Sequence, residues 1–97
     1  LTKNGAGELV LGTANGYTDG TTVNGGVLTM AANGATGTGT VTLADGTTLR
    51  STVDITHANA VNMLGTGTFD ILGAEFVQNG LVSGGLLLKS GAGRLTL

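Results

Sequence analysis

The side chains of this 97-residue chain that could do acid–base chemistry are few and scattered. Asp54, Asp70 and Arg50 are the best candidates, because an enzyme acting on polysaccharides needs clustered carboxylates with a basic residue beside them. Glycosidic chemistry requires two carboxylates roughly 5–10 Å apart. The two aspartates are sixteen residues apart in sequence, which leaves open whether they meet. Solvated surface charges explain them equally well, so we predict no catalytic residue and no enzyme.

No residue pattern indicates a metal or a cofactor. His57 is the only histidine and there is no cysteine, so a thiolate zinc site is impossible and a histidine site would depend on carboxylates alone. We expect His57 to lie at the surface or in a turn. The glycine pairs lack the spacing of a phosphate-binding loop or of a calcium-binding nonapeptide repeat. The chain therefore carries no predicted cofactor site.

The charge balance argues against nucleic acid and membrane partners. Formal net charge is −2, and only four residues are basic, which is too little for a phosphate-binding surface. No apolar run reaches the roughly 18 residues of a spanning helix. We expect no nucleic acid partner and no direct membrane insertion.

Threonines alternate along one segment and raise one other possibility. A flat threonine face on a regular β-structure resembles the surface of ice-binding proteins, although threonine is also a good strand former in a chain poor in charge. The residues concerned are Thr38, Thr40, Thr42, Thr66 and Thr68.

Short apolar–polar alternations run through the whole chain and predict strands of three to five residues. Between them stand Asn-Gly and Asp-Gly pairs, which turn the backbone sharply. Seven such turns are compatible with hairpins. A hairpin sandwich, however, usually has longer strands and a buried aromatic residue or a disulfide that joins its two sheets, and this sequence offers neither. A parallel β-helix of about four coils, each of roughly 20–25 residues, explains the pattern better.

The period of two along each strand predicts which side chains enclose the core. In ELVL at 8–11, for example, alternate residues point inward and Glu8 and Val10 outward. The predicted core residues are Leu9, Leu11, Leu28, Met30, Val41, Leu43, Val53, Ile55, Phe69, Ile71, Leu95 and Leu97.

The chain ends by repeating its beginning. LTKNGAGELVL at 1–11 and LLKSGAGRLTL at 87–97 agree at seven of eleven positions. Self-similarity at a long period is typical of stacked arrays. We predict one β-helix segment over 1–97, with the next repeat starting near residue 87. The repeat motif turns at Gly5, Gly7, Gly20, Gly91 and Gly93.

Residues 1–30 resemble the autotransporter-associated β-strand repeat of Gram-negative passenger regions. The resemblance rests on an opening of alternating Leu, Lys and Gly, a Tyr-Thr stretch and a closing Gly-x-Leu. The matching residues are Leu1, Lys3, Gly5, Gly7, Leu9, Leu11, Asn15, Tyr17, Thr18, Gly20, Thr21, Thr22, Val23, Gly26 and Leu28.

The resemblance implies a right-handed parallel β-helix and a non-catalytic stem of a secreted or surface-displayed passenger that assists its own export. The absence of cysteine suits a chain that crosses the outer membrane unfolded. An adhesin module that contacts host or neighbouring cells, and a carbohydrate-active β-helix enzyme, are the alternatives. Expected partners are the flanking coils of the same chain, and the open ends predict end-to-end association of the isolated fragment. No ligand is indicated.

Overall fold

The computed structural model describes residues 1–97 and contains strands but no α-helix. It therefore has no helix that is long and apolar enough to span a membrane. The strands are β1 (Thr2–Lys3), β2 (Glu8–Leu11), β3 (Thr21–Val23), β4 (Val27–Met30), β5 (Val41–Leu43), β6 (Thr47–Ser51), β7 (Ile55–His57), β8 (Val61–Ile71), β9 (Glu75–Gln78), β10 (Val82–Ser90) and β11 (Arg94–Thr96).

Every strand pair is parallel, and no strand pairs with its neighbour in sequence. Paired residues lie 19–21 positions apart: Glu8 pairs with Val27, which in turn pairs with Thr48. The chain thus winds as a solenoid in which each turn is hydrogen-bonded to the next. The Asn-Gly and Asp-Gly pairs mark its corners and not hairpins.

The solenoid has three faces. The first face contains β1, β3, β5 and the first parts of β8 and β10; the second contains β2, β4, β6 and the last parts of β8 and β10. The third contains β7, β9 and β11. There are about five turns instead of the expected four, because a turn takes 19–21 residues and not 20–25.

The interior is filled by the inward column of each face. Phe69 and Phe76 lie in the same turn and meet edge to face, with ring centroids 5.3 Å apart, a favourable geometry for aromatic pairs. Of the predicted core, Leu9, Leu11 and Leu95 are half-buried and pack against this cluster. Fully buried are Leu28, Met30, Val41, Leu43, Ile55, Phe69 and Ile71.

Two of the predicted core residues are exposed, Val53 by 41% and Leu97 by 75%, so these two expectations are wrong. Val53 belongs to the corner between β6 and β7, and the alternation of β7 begins only at Ile55. Leu97 follows β11 in the last turn, where no further turn covers it.

The motif glycines divide into two groups. Gly5, Gly20 and Gly91 have φ angles of 83°, 89° and 80°, in the left-handed region that favours glycine. Gly7 and Gly93 do not have positive φ. At Gly93 the constraint is space, since a Cβ there would lie 2.3 Å from the Gly73 carbonyl oxygen of the turn before.

Candidate functional site

Outward side chains of the second face form a polar ladder, defined here as Glu8, Thr29, Arg50, Asp70 and Ser90. The Thr29 hydroxyl donates to a Glu8 carboxylate oxygen, and an Arg50 terminal nitrogen lies 3.2 Å from the same oxygen. On its other side, Arg50 Nε donates to Asp70 at 2.8 Å, and Ser90 Oγ donates to Asp70 at 3.0 Å. The ladder joins all five turns of the solenoid.

The ladder also sets the charge states along this face. The hydrogen bond from Thr29, helped by Arg50, lowers the pKa of Glu8 below its ordinary value. The hydrogen bond to Asp70, with the Coulomb attraction of Asp70 and Glu8, raises the pKa of Arg50. Both groups are thereby held in their charged forms. Such a carboxylate is a poor general acid, because that role needs a raised pKa.

Asp54 and Asp70, the candidate pair for glycosidic chemistry, bind different partners in different parts of the solenoid. Asp70 belongs to the polar ladder, whereas Asp54 lies at the corner between β6 and β7. There Asp54 Oδ1 accepts hydrogen bonds from the backbone N–H groups of Ala74 and Glu75, at 3.0 and 3.2 Å. Arg50 binds Asp70 and Glu8 and forms no hydrogen bond or ion pair with Asp54. The three residues therefore do not form the single cluster that the enzyme hypothesis needs.

One open groove, of about 470 Å³, lies at the corner beside Asp54. Glu75 and Arg94 also line it and are direct strand partners on the third face. Thr96 Oγ1 donates to Glu75 at 3.2 Å. The sequence alone does not indicate that Glu75 and Arg94 meet, because only the pairing of β9 with β11 brings them together. The groove offers charge of both signs at the solvent surface, and it is too open to exclude water.

His57 is buried and not at the surface, so the sequence expectation for it is wrong. Only 3% of the residue is exposed, because it occupies an inward position of β7. Its Nε2 lies 3.1 Å from the Thr36 hydroxyl in the turn before, and its Nδ1 lies 2.7 Å from Gln78 Oε1 in the turn after. Burial lowers the pKa of His57, against a smaller raising effect of the Gln78 hydrogen bond.

The side-chain amide of Gln78 determines which tautomer His57 adopts. Gln78 Nε2 donates to the carbonyl oxygens of Asn59 and Gly80, so its Oε1 is an acceptor and His57 Nδ1 must carry the proton. Nε2 then accepts from Thr36. Every polar atom of the neutral ring has a partner inside the protein, which makes His57 a structural residue and not an exposed base.

A lysine occupies an inward position in each copy of the repeat. Lys3 is 6% exposed, and its Nζ donates to the carbonyl oxygens of Gly5 at 2.9 Å and Gly25 at 2.8 Å. Lys89 Nζ donates to Gly91 at 2.8 Å. The sequence identifies these lysines only as part of the repeat motif. Their identical spacing from a glycine is the signal that could have revealed the contact.

Amide and carboxylate side chains at the corners bind the next turn. Asn15 Nδ2 donates to the Ala35 carbonyl at 2.6 Å. Asp45 Oδ1 accepts from the Thr66 N–H at 2.8 Å. Asn33 Oδ1 accepts in the same way, from the N–H of a residue 23 positions later. Each of these side chains satisfies a backbone group of the next turn.

The threonines do not form one array. Thr42 lies on the first face, where Thr22 and Asn62 are its partners, whereas Thr68 lies on the second face, paired with Thr48. The two groups therefore point in different directions. No group of three or more His, Cys, Asp or Glu side chains comes together as a potential metal site.

The chain is similar in sequence to autotransporter passenger proteins. Residues 1–30 match the family model of the passenger-associated-transport-repeat. The chain is 42% identical over 100 aligned positions to the adhesin BmaC autotransporter of Brucella suis biovar 1 (strain 1330). That alignment covers the whole chain but only 3% of the relative's length. No solved structure matches the chain.

Proposed function

Residues 1–30 are a passenger-associated transport repeat, as the resemblance to autotransporter passengers implied, and from this premise we propose that the chain is a non-catalytic stem segment of an exported passenger. In this role it holds other passenger regions away from the cell and folds progressively outside the outer membrane. The proposal includes a right-handed winding, which is the usual hand of a connection between parallel neighbouring strands.

One observation carries the proposal: the polar side chains that could serve a ligand bind the next turn instead. Arg50 and Asp70 act within the polar ladder, Asp54 binds backbone N–H groups, and His57 bonds to the turns on both sides. Such contacts let each new turn find a formed edge, so that stacking supports directional folding. This is what a stem requires, and it leaves few groups for catalysis. Surface display or secretion is part of the same proposal.

An adhesin module is the second candidate, and the name of the Brucella relative supports it. Exposed apolar side chains could supply adhesive contacts. Leu64, Leu72 and Leu81 are 65%, 55% and 73% exposed. However, Leu64 lies between the two halves of β8, Leu72 follows β8, and Leu81 lies between β9 and β10. These three leucines lie at three different corners and do not form one apolar patch with each other, which favours the stem.

Deleting one whole turn tests the stem role. In a passenger that contains this chain, removal of residues 61–81 joins Ala60 to Val82, which is the strand partner of Val61. The register of the remaining turns is preserved, so we expect export, and attachment if the passenger mediates it, to continue with a stem one turn shorter. The matched control removes residues 61–70, about half a turn, and should block folding and export.

The same deletion separates the alternatives. Loss of attachment with normal export after the whole-turn deletion would favour the adhesin module and contradict the stem. Replacing Arg50, Asp54 and Asp70 with alanine gives a second comparison. Loss of attachment or of glycan turnover in a folded, exported variant would contradict a purely structural role.

A further inference from the structure

We propose that the C-terminal end of the solenoid binds another copy of this repeat, turned by one face about the solenoid axis, and that Lys89 is the contact that receives it. The occupant is a turn with the sequence of residues 12–30. The inference goes beyond the proposed function, since it rests on register and corner geometry and holds whatever the passenger does.

The rotation follows from the register. Thr2 pairs with Thr22, Thr22 with Thr42, Thr42 with Asn62, and Asn62 with Ser83, so four turns end at Ser83. In the second copy of the motif, however, the residue equivalent to Thr2 is Leu88, which lies five residues after Ser83. The second copy of the motif therefore begins on the next face of the solenoid.

The strand assignments agree with this shift. In the first copy, Lys3 lies on the first face and Leu9 on the second. In the second copy, Lys89 lies on the second face and Leu95 on the third. The same eleven-residue motif thus makes two different corners of the solenoid.

Each copy shows one half of the contacts that the motif makes. In the first copy a turn lies above the motif, and Lys3 Nζ binds the Gly25 carbonyl of that turn at 2.8 Å. In the second copy a turn lies below the motif, and a Cβ at Gly91 would come within 2.3 Å of the Ile71 carbonyl oxygen. At Gly5 in the first copy, a Cβ would meet nothing within 4 Å. The complete corner combines glycines packed on the turn below with a lysine bonded to the turn above.

Lys89 has only the first of these two bonds. It donates to Gly91 as Lys3 donates to Gly5, but Lys89 is exposed where Lys3 is buried. It stands in the inward column above Phe69, Leu49 and Leu28, which are all buried. An ammonium at the end of an apolar column gains most from a carbonyl oxygen that closes over it. In the first copy that carbonyl belongs to the Gly25-Gly26 corner.

The turn that covers Lys89 must also bring a glycine corner. Gly26 has a φ of 68°, and a Cβ there would lie 2.2 Å from the Gly7 carbonyl oxygen and 2.7 Å from Lys3 Nζ. A side chain at this point would push the turn off the lysine. The sequence after residue 11 in another copy brings such a glycine corner at the required position.

A two-copy chain tests the inference, because the protein contains only two lysines. Residues 1–97 are followed directly by a second set of residues 12–97, so that residues 87–97 serve as the start of the second copy. The folded chain is treated briefly with an amine-acylating reagent, and each lysine is quantified by mass spectrometry. The 97-residue chain, treated in parallel at low concentration, gives the reference rates.

We expect Lys89 to react at least about tenfold faster than Lys3 in the 97-residue chain, as exposure dictates. In the two-copy chain the junction Lys89 should become as slow as Lys3, while the last lysine stays fast. A junction Lys89 that reacts as in the single chain overturns the inference, and so does a two-copy chain in which Lys3 also becomes fast. The variant Gly26→Val in the second copy alone should expose the junction Lys89 again and leave Lys3 protected. Persistent protection in that variant would contradict the glycine requirement.

Discussion

Replacing His57 with glutamine should remove an acid-dependent loss of stability from this solenoid. The imidazole lies between Thr36 and Gln78 with 3% exposure. Phe76 covers it from the side, with ring centroids 5.6 Å apart. No charged side chain contacts the ring to stabilise an imidazolium. Burial therefore lowers the pKa of His57 below its ordinary value of 6.5.

The sign of the effect follows from proton uptake. As the pH falls through 6.5, His57 takes up a proton in the unfolded chain but stays neutral in the folded one. The contribution of His57 to stability is complete above 6.5 and decreases between 6.5 and the lower pKa of the folded state. The loss can reach about 1.4 kcal/mol per pH unit, the value for one proton. In a domain of this size, each kcal/mol corresponds to about 4–8 °C in Tm.

Urea unfolding at about pH 7.5, 6.5 and 5.5 measures this slope in the wild type and in His57→Gln. Glutamine can bond to both Thr36 and Gln78 but does not titrate. Glu8 also has a lowered pKa, but its effect appears only below its ordinary value of 4.5, outside this range. We expect the wild type to lose stability relative to the variant as the pH falls. A constant difference between the two proteins would refute the assignment of His57 as a buried neutral group.

Three further predictions concern the core, a corner and the polar ladder. Phe69→Ala should cost about 3–5 kcal/mol because it empties a fully buried position, whereas Leu64→Ala, at a residue 65% exposed, should stay within about 0.5 kcal/mol in urea unfolding. Gly93→Ala should lower Tm, since its Cβ would lie 2.3 Å from the Gly73 carbonyl oxygen, whereas Gly12→Ala, with nothing within 4 Å, should leave Tm unchanged or slightly raised. Arg50→Met should reduce the dependence of Tm on salt, because Arg50 binds both Glu8 and Asp70 at a partly solvated face.

Each of these comparisons has a contradicting outcome. Equal losses in Phe69→Ala and Leu64→Ala would mean that the second face does not enclose the core. Equal Tm values for Gly93→Ala and Gly12→Ala would contradict the close approach of neighbouring turns at the Gly93 corner. An unchanged salt dependence in Arg50→Met would mean that the ladder is not formed in solution.

The sequence predicts the alternation within strands well, because inward and outward positions depend on a period of two that is visible locally. Leu28 and Met30 in β4, and Phe69 and Ile71 in β8, are buried as this pattern requires. The parallel arrangement was also predictable, from short strands without a pin and from the repeated ends. Corner lengths are harder to predict, and Val53 illustrates why: the alternation of β7 cannot be extended back into the corner before it.

The burial of polar side chains is hard to predict from this sequence, for one physical reason. His57 is accommodated inside because Thr36 and Gln78 supply partners from neighbouring turns. Lys3 is accommodated inside because its Nζ donates a hydrogen bond to the Gly25 carbonyl oxygen, which lies 22 residues later in sequence. Neither partner is visible without the register. A lone histidine or lysine is therefore expected at the surface unless the residues that face it in neighbouring turns are known.

Scalar couplings across hydrogen bonds, measured by NMR on the isotopically labelled chain, test the central claim of parallel stacked turns most directly. They identify the amide nitrogen and the carbonyl carbon that share each bond. The solenoid predicts couplings from Ala44 N to Val23, from Leu72 N to Ser51 and from Arg94 N to Ala74, each one turn earlier. Couplings confined to residues on the two sides of each Asn-Gly or Asp-Gly pair, as hairpins would give, would contradict it.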